Sequence, residues 1–337
     1  MIETALSDLA GWCADLIENV GSIAIPYLIL GSLLQWGQTL LNSVAWRNVL
    51  QASYPEKHIL QKEISAGYAA GVGLNSVLPG QAGTITYLAL FRASIYGSSV
   101  ATIAAGAAVQ AIFWSIVGGL VYLLLFFSRP DAFDVKLGTI TSWIGDHLPI
   151  TLVLVAAAAV LILICVRLIK TRLREQWAQL GQGAAILHTP RRYLARVVTF
   201  QALSYGCRIG VNATFMAAYN IPVTARNIFI VIAAASIASV VAVAPGGIGA
   251  TTSVLLVALS GQATQAEITS YSVGQQAACM FANIVLGLVL MSKVFGWDAT
   301  RSVMHRRKKA KGESTEQGAE QLAEQLAAHR RPTDDKA

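Results

Sequence analysis

Five stretches of this chain, at about 21–45, 99–128, 149–169, 197–220 and 270–296, are apolar runs of twenty residues or more. At about 1.5 Å of rise per residue, each is long enough to cross roughly 30 Å of hydrocarbon as a helix. Inside a bilayer every backbone N–H and C=O must find its partner within the protein, and a helix does so within one segment. Composition agrees: 55% of the 337 residues are hydrophobic and 13% are charged, about half the roughly 25% charge of ordinary soluble domains. Soluble, disordered and fibrous classes are excluded, which leaves an all-α polytopic membrane protein.

Two further apolar stretches, 64–94 and 227–259, are interrupted near their middles by Pro79-Gly80 and by Pro245-Gly246-Gly247. A straight helix through Pro followed by Gly loses backbone hydrogen bonds, and in a membrane the freed groups must be buried in protein or line a wet cavity. Each stretch is expected to form a re-entrant pair of half-helices, giving about five full spans plus two hairpins.

Basic residues orient the spans. Loop 46–62 carries Arg47, Lys57 and Lys62, the linker around 167–196 carries seven basic residues, and the tail from 297 to 337 begins with a basic cluster around Arg306–Lys309. These segments are expected in the cytoplasm. Segments 129–148 and 260–269, balanced or without basic residues, are expected outside. The N-terminus then lies outside and the C-terminus inside a bacterial inner membrane. Residues 1–20, acidic and anchored by Trp12 and Leu16, are expected to lie at the interface. The polar tail leaves a cytoplasmic partner open, and a homo-oligomer is equally open. The net charge of +7 is no nucleic-acid footprint, because the basic residues sit in blocks beside apolar segments. Cys13, Cys165, Cys207 and Cys279 have no metal-ligand or CxxC spacing, so no metal or cofactor is expected.

The two breaks repeat one another. Pro79-Gly80-x-x-Gly83 and Pro245-Gly246-x-x-Gly249 share a pattern, and 245 minus 79 is 166; Gln35 and Gln201 are also 166 apart. Phe113, Ile116, Val117, Gly119, Leu120 and Val121 reappear 168 residues later, from Phe281 to Val289. An internal duplication follows, with repeat one at about 21–128, an extra span at 149–169 and repeat two at about 197–296. Three full spans precede the second copy, and an odd number inverts it. Inverted repeats with broken helices are the architecture of secondary transporters.

Trp46-Arg47, Gly73-Leu-Asn75-Ser-Val-Leu-Pro79-Gly80-x-x-Gly83 and Pro245-Gly246-Gly247-Ile248-Gly249 resemble the flippase-like transmembrane domain of lysylphosphatidylglycerol synthases, over residues 21–296. The sequence holds no stretch resembling the soluble aminoacyl-transfer domain, so the resemblance implies lipid translocation and not aminoacylation. Where that family tends to carry an Arg and then a Glu after the first break, this chain has Gln81 and Thr84. Thr252 stands near a common Glu after the second. The missing acids argue against a cationic aminoacyl headgroup and against proton coupling at these positions.

From 64 to 266 the acidic residues are Asp131, Asp134, Asp146 and Glu175, all in linkers, and no His falls within a span. Glycosyl transfer or hydrolysis needs such groups, so the reading is of a non-enzyme. Arg208 sits near mid-depth of the 197–220 helix, with Gln201, Ser204, Tyr205 and Asn212 spaced onto its face. Either Arg208 binds a lipid phosphate or it caps carbonyls freed by a break. Gly80, Gly83, Gly246, Gly247 and Gly249 allow close backbone approach at half-helix N-termini, which favour anions. Asn75, Gln81, Thr84, Thr251 and Thr252 offer neutral hydrogen bonds to a headgroup, or glue between helices.

The expected function is movement of an anionic membrane lipid, a phospholipid or a polyprenyl-phosphate-linked sugar, between leaflets. A polytopic lipid-modifying transferase and a non-transporting partner protein are the alternatives. The orientation is tested by single-cysteine labelling: a cysteine at position 185 is expected to react only after the membrane is made permeable, and labelling in intact cells would refute the inverted topology.

Overall fold

A computed structural model describes residues 24–77, 82–128, 177–241 and 248–296 of the chain. The N-terminal segment 1–20, the span at 149–169, the tail, and Pro79, Gly80, Gln81, Pro245, Gly246 and Gly247 lie outside the described residues. Every named element among those described is helical: α1 (Ile25–Ser53), α2 (Gln61–Asn75), α3 (Ala82–Ser94), α4 (Val100–Ser128), α5 (Trp177–Gly183), α6 (Pro190–Tyr193), α7 (Thr199–Ala218), α8 (Ala225–Val241), α9 (Ile248–Ala258) and α10 (Gln265–Phe295). A π-helical segment, Leu194–Val198, joins α6 to α7.

Local chemistry sets several ends. Pro26 opens α1, where a missing N–H costs nothing. A capping box opens α10, with Thr264 N donating to Glu267 Oε2 at 2.8 Å and Glu267 N to Thr264 Oγ1 at 3.2 Å. Asn220, at φ 57°, ends α7 in the left-handed region that Asn tolerates. The loop expected at 46–62 is shorter than its polarity implies, because α1 continues to Ser53. Trp46 and Leu50 pack in an apolar cluster with Phe91 and Ile103. Asn48 Nδ2 donates to Arg196 O at 2.7 Å, so the polar residues of this last stretch are satisfied in place.

Within the bundle, buried polar side chains sit among a largely apolar core, and large apolar side chains face outward. Gln35, Asn42, Gln110, Gln201, Ser204, Asn212 and Asn283 are buried, whereas Leu30, Leu33, Ile116, Leu120, Leu203 and Phe281 are exposed. In water that arrangement would be unfavourable; in lipid the outer apolar surface has its solvent and the inner polar groups have each other. Val100–Leu123 and Gln265–Phe295 are, among the described residues, long and apolar enough to cross a membrane.

The interior is organised about the crossing of α1 and α7. Gly31 meets Phe215, Leu34 meets Gly210, and Gly37 meets Cys207. Ser204 Oγ donates to Gln38 O at 3.0 Å and accepts from Asn42 Nδ2 at 2.7 Å. One index falls as the other rises, so the helices are antiparallel. Helix starts also recur: 190 minus 25 is 165, 225 minus 61 is 164 and 265 minus 100 is 165. Across this frame Gln35 Nε2 donates to Asn283 Oδ1 on α10 at 3.1 Å. Its counterpart 166 residues on, Gln201, donates through Nε2 to Gln110 O on α4 at 3.0 Å.

Both interrupted stretches turn back on themselves. A Cβ on Gly71 would lie 2.6 Å from Gly83 O, and one on Gly83 would strike Gly71 O. The two backbones of α2 and α3 therefore touch where only glycine fits. In the second hairpin Leu255 of α9 and Leu259 just after it join Ile228 and Ile232 of α8 in one buried cluster, a contact that a straight helix forbids.

Gly83→Ala is expected to destabilise the protein by about 1–3 kcal/mol, since backbone must move to admit the methyl. Gly249→Ala, with no atom of the described residues within 4 Å of its added Cβ, is expected to leave the melting temperature of the purified protein unchanged. Thermal unfolding in detergent checks the pair.

Candidate functional site

Where α4, α7 and α8 meet, they enclose a pocket of about 140 Å³. At roughly 30 Å³ per water, that is the space of four or five waters, or of one small polar group. Helix α4 contributes Trp114, Val117, Gly118, Val121 and Tyr122; α7 contributes Tyr205 and Arg208; α8 contributes Ile232, Ala233 and Ser236. The spacing of Tyr205 and Arg208, three residues apart on α7, sets both side chains on one face.

Arg208 is the only charged residue in that lining. Among the described residues its guanidinium makes no hydrogen bond and no ion pair; its carbonyl accepts from Asn212 Nδ2 at 2.7 Å. Tyr205 Oη is buried without a partner among the described residues, and its ring stands edge-on to Trp114 with centroids 6.0 Å apart. Tyr122 Oη donates to Ala233 O at 3.3 Å, which fixes α4 against α8. The pocket thus offers the Arg208 guanidinium and the Tyr205 phenol to an occupant, inside walls that are apolar or aromatic apart from Ser236. A lone cation in such a place is costly unless an anion meets it.

The other side chains proposed from the sequence are distributed differently. Gln201 is wholly buried and donates to both the carbonyl and the side-chain oxygen of Gln110. Asn212 Oδ1 accepts from Tyr271 Oη at 3.2 Å and from Gln275 Nε2 at 3.0 Å, tying α7 to α10. These residues do share a helix face, but the neighbour across that face changes along α7 because the helices cross. Only Tyr205 and Arg208 open on the pocket.

At the first break, the N-terminus of α3 is capped from within. Gly83 N donates to Asn75 Oδ1 at 2.7 Å and Thr84 N to the same oxygen at 3.3 Å, while Asn75 Nδ2 donates to Thr84 Oγ1 at 3.0 Å. A side chain from the end of α2 thereby occupies donors that were expected to face an anion. At the second break, Thr252 Oγ1 and Ser272 Oγ bond at 2.8 Å between α9 and α10, and Gly249 lies open; Thr251 also has a partner. Trp114, Tyr122 and Ser236 were not singled out in the sequence. Nothing in an apolar helix distinguishes a pocket aromatic from a packing one, and α8 reaches the pocket only through the tertiary fold.

Long apolar helices whose exposed side chains are apolar, with hydrogen-bonded polar groups buried between them, mark an integral membrane protein. A family model described as the lysylphosphatidylglycerol synthase TM region matches residues 5–287, and the chain belongs to that family. No curated protein and no solved structure matches it.

Asn75→Ala removes the cap on α3. It is expected to cost about 1 kcal/mol of stability, as side-chain caps elsewhere do, and the shift in thermal unfolding of the purified protein measures it.

Proposed function

We propose that this protein is a lipid translocator, a flippase or scramblase, that passes an anionic headgroup between leaflets while the acyl or prenyl tail stays in the bilayer. The observation that carries the reading is Arg208, a cation in a pocket between helices with no protein anion among the described residues. A phospholipid phosphate or a polyprenyl phosphate supplies the missing charge, and the guanidinium fork suits its oxygens. Family membership supports a lipid-related role, since the matching region is named for a synthase of a phosphatidylglycerol derivative.

The same proposal includes an inverted repeat with five spans and two re-entrant hairpins. What supports it is the antiparallel contact of α1 with α7, centred on Gln38 and Ser204, which are themselves 166 residues apart. Recurring helix starts and the two turned-back hairpins support it further. In such an arrangement the headgroup site lies between the repeats and is exposed to each leaflet in turn.

Purified protein in vesicles, assayed for leaflet-resolved movement over a panel of lipids, tests this reading. Arg208→Gln is expected to abolish movement per folded molecule, and Arg208→Lys to retain part of it, because Lys keeps the charge but loses the fork. Full specific activity in Arg208→Gln would end the phosphate-site reading. Product formation without movement would replace the translocator by a transferase.

A further inference from the structure

The linker that leads into α7 is held along its inner edge and bare along its outer one. Gly183, at the end of α5, packs so closely on Thr102 O of α4 that only glycine fits. Thr102 Oγ1 donates to Gln179 O at 3.0 Å, and Gln182 Nε2 donates to Ser53 O of α1 at 2.8 Å. Ile186 is buried with Val49, Val109 and Val197. The outer edge of this collar carries Leu187, Arg191, Arg192, Leu194 and Arg196, all exposed. None of the three arginines makes a side-chain hydrogen bond or ion pair among the described residues.

Charge at this end of the bundle is unbalanced. Among the described residues the acids are Glu56, Glu63 and Glu267. Glu63 is buried, and Glu267 caps the start of α10 at the opposite end. The tail leaves from the collar's end. Met291, near the close of α10, packs on Ala66 of α2; Ser65 bonds Ser43 of α1 at 2.7 Å; and Asn48 of α1 reaches Arg196 O.

Within that tail, residues 313–328 include Glu313, Glu316, Glu320 and Glu324 and no Lys or Arg. Spaced by three and four, the glutamates share one face of a helix, with Leu322 and Leu326 on another. The 17 steps from Gly296 to Glu313 (313 minus 296) reach up to about 56 Å when extended, several times the roughly 10 Å between packed helices. The basic cluster around Arg306–Lys309 has the collar's own sign. It belongs against anionic headgroups, which leaves the acidic segment as the occupant of complementary charge.

We propose that segment 313–328 docks as a helix on the collar, its glutamates against Arg191, Arg192 and Arg196 and its leucines against Leu187 and Leu194. The contact needs no movement of lipid, so it stands or falls apart from the translocator reading. Its consequence is mechanical: the end of the chain clasps the segment that begins α7, the helix that carries Arg208.

The test uses the full chain, one copy to a nanodisc of phosphatidylcholine, and measures phenylglyoxal modification of each arginine by peptide mass spectrometry. Arg191, Arg192 and Arg196 are expected to react about fivefold more slowly than in a variant carrying Glu313→Gln, Glu316→Gln, Glu320→Gln and Glu324→Gln, the modest effect of several exposed ion pairs. Arg226, exposed at the opposite end of the bundle, is expected to react alike in both. Raising the salt from about 0.05 M to about 0.5 M is expected to uncover the collar of the unsubstituted chain, because screening weakens exposed pairs. Equal rates in the two chains at low salt overturn the proposal. Protection that appears only when phosphatidylglycerol is added to the nanodisc, and that survives the four substitutions, also overturns it and assigns the collar to the anionic membrane surface. Should the substituted chain fail to fold, the salt comparison decides alone: rates unchanged by salt overturn the proposal, since a neutral bilayer carries no net charge to screen.

Discussion

Polar groups within hydrocarbon have no water to fall back on, and the architecture of this protein follows from where each of them finds a partner. The crossing of α1 and α7 is the centre of that accounting. Ser204 accepts from Asn42 and donates to the Gln38 carbonyl, so a single hydroxyl joins the helices twice. Gln35 and Gln201 then reach outward from the crossing, one to Asn283 on α10 and the other to Gln110 on α4. Asn283 passes the connection on, donating to Ser76 Oγ at the end of α2 at 3.3 Å. Interhelical bonds of this kind contribute only about 0.6–2 kcal/mol each. Their directionality fixes register in a medium where apolar contacts alone are permissive.

Close packing completes what the hydrogen bonds orient. Small residues allow close approach, backbone to backbone at Gly71 with Gly83 in the first hairpin, and backbone to side chain at Gly37 with Cys207 and Gly210 with Leu34 between α1 and α7. Lipid tails are as apolar as leucine, so helices associate through such contacts and not through expulsion of water. The first hairpin is locked both by backbone contact and by the Asn75 cap. The counterpart of Gly83 is Gly249, which has open space around it. Among the described residues, the first hairpin is therefore the more tightly packed at this glycine.

The pocket exploits a second departure from that internal similarity. By the shift of 166, the counterpart of Arg208 is position 42, where Asn42 is committed to Ser204. Asn42 is therefore structural glue, whereas Arg208 carries a guanidinium without a hydrogen bond or ion pair among the described residues, between α4, α7 and α8. In surroundings of low dielectric a charge interacts strongly with whatever anion reaches it. The Tyr205 phenol on the same pocket is also without a partner among the described residues.

Long apolar runs, two Pro-Gly interruptions and the 166-residue shift were readable from the chain because each rests on local chemistry: helix length against bilayer thickness, lost backbone bonds at proline, and repetition of residue types. The family motifs were readable for the same reason. Arg208 was conspicuous because a cation inside an apolar run is rare, whatever it faces. Sequence spacing placed Gln201, Ser204, Tyr205, Arg208 and Asn212 on one face of α7, and that face exists. Which neighbour each meets depends on helices distant in the chain, 59 residues away for Asn212 and 91 for Gln201, and no local pattern encodes it. The tertiary structure alone decided that Gln201 meets Gln110, that Asn212 is held by Tyr271 and Gln275, and that Asn75 folds back to cap α3. It also decided that Tyr205 and Arg208 face the pocket, because enclosing that space takes three helices at once.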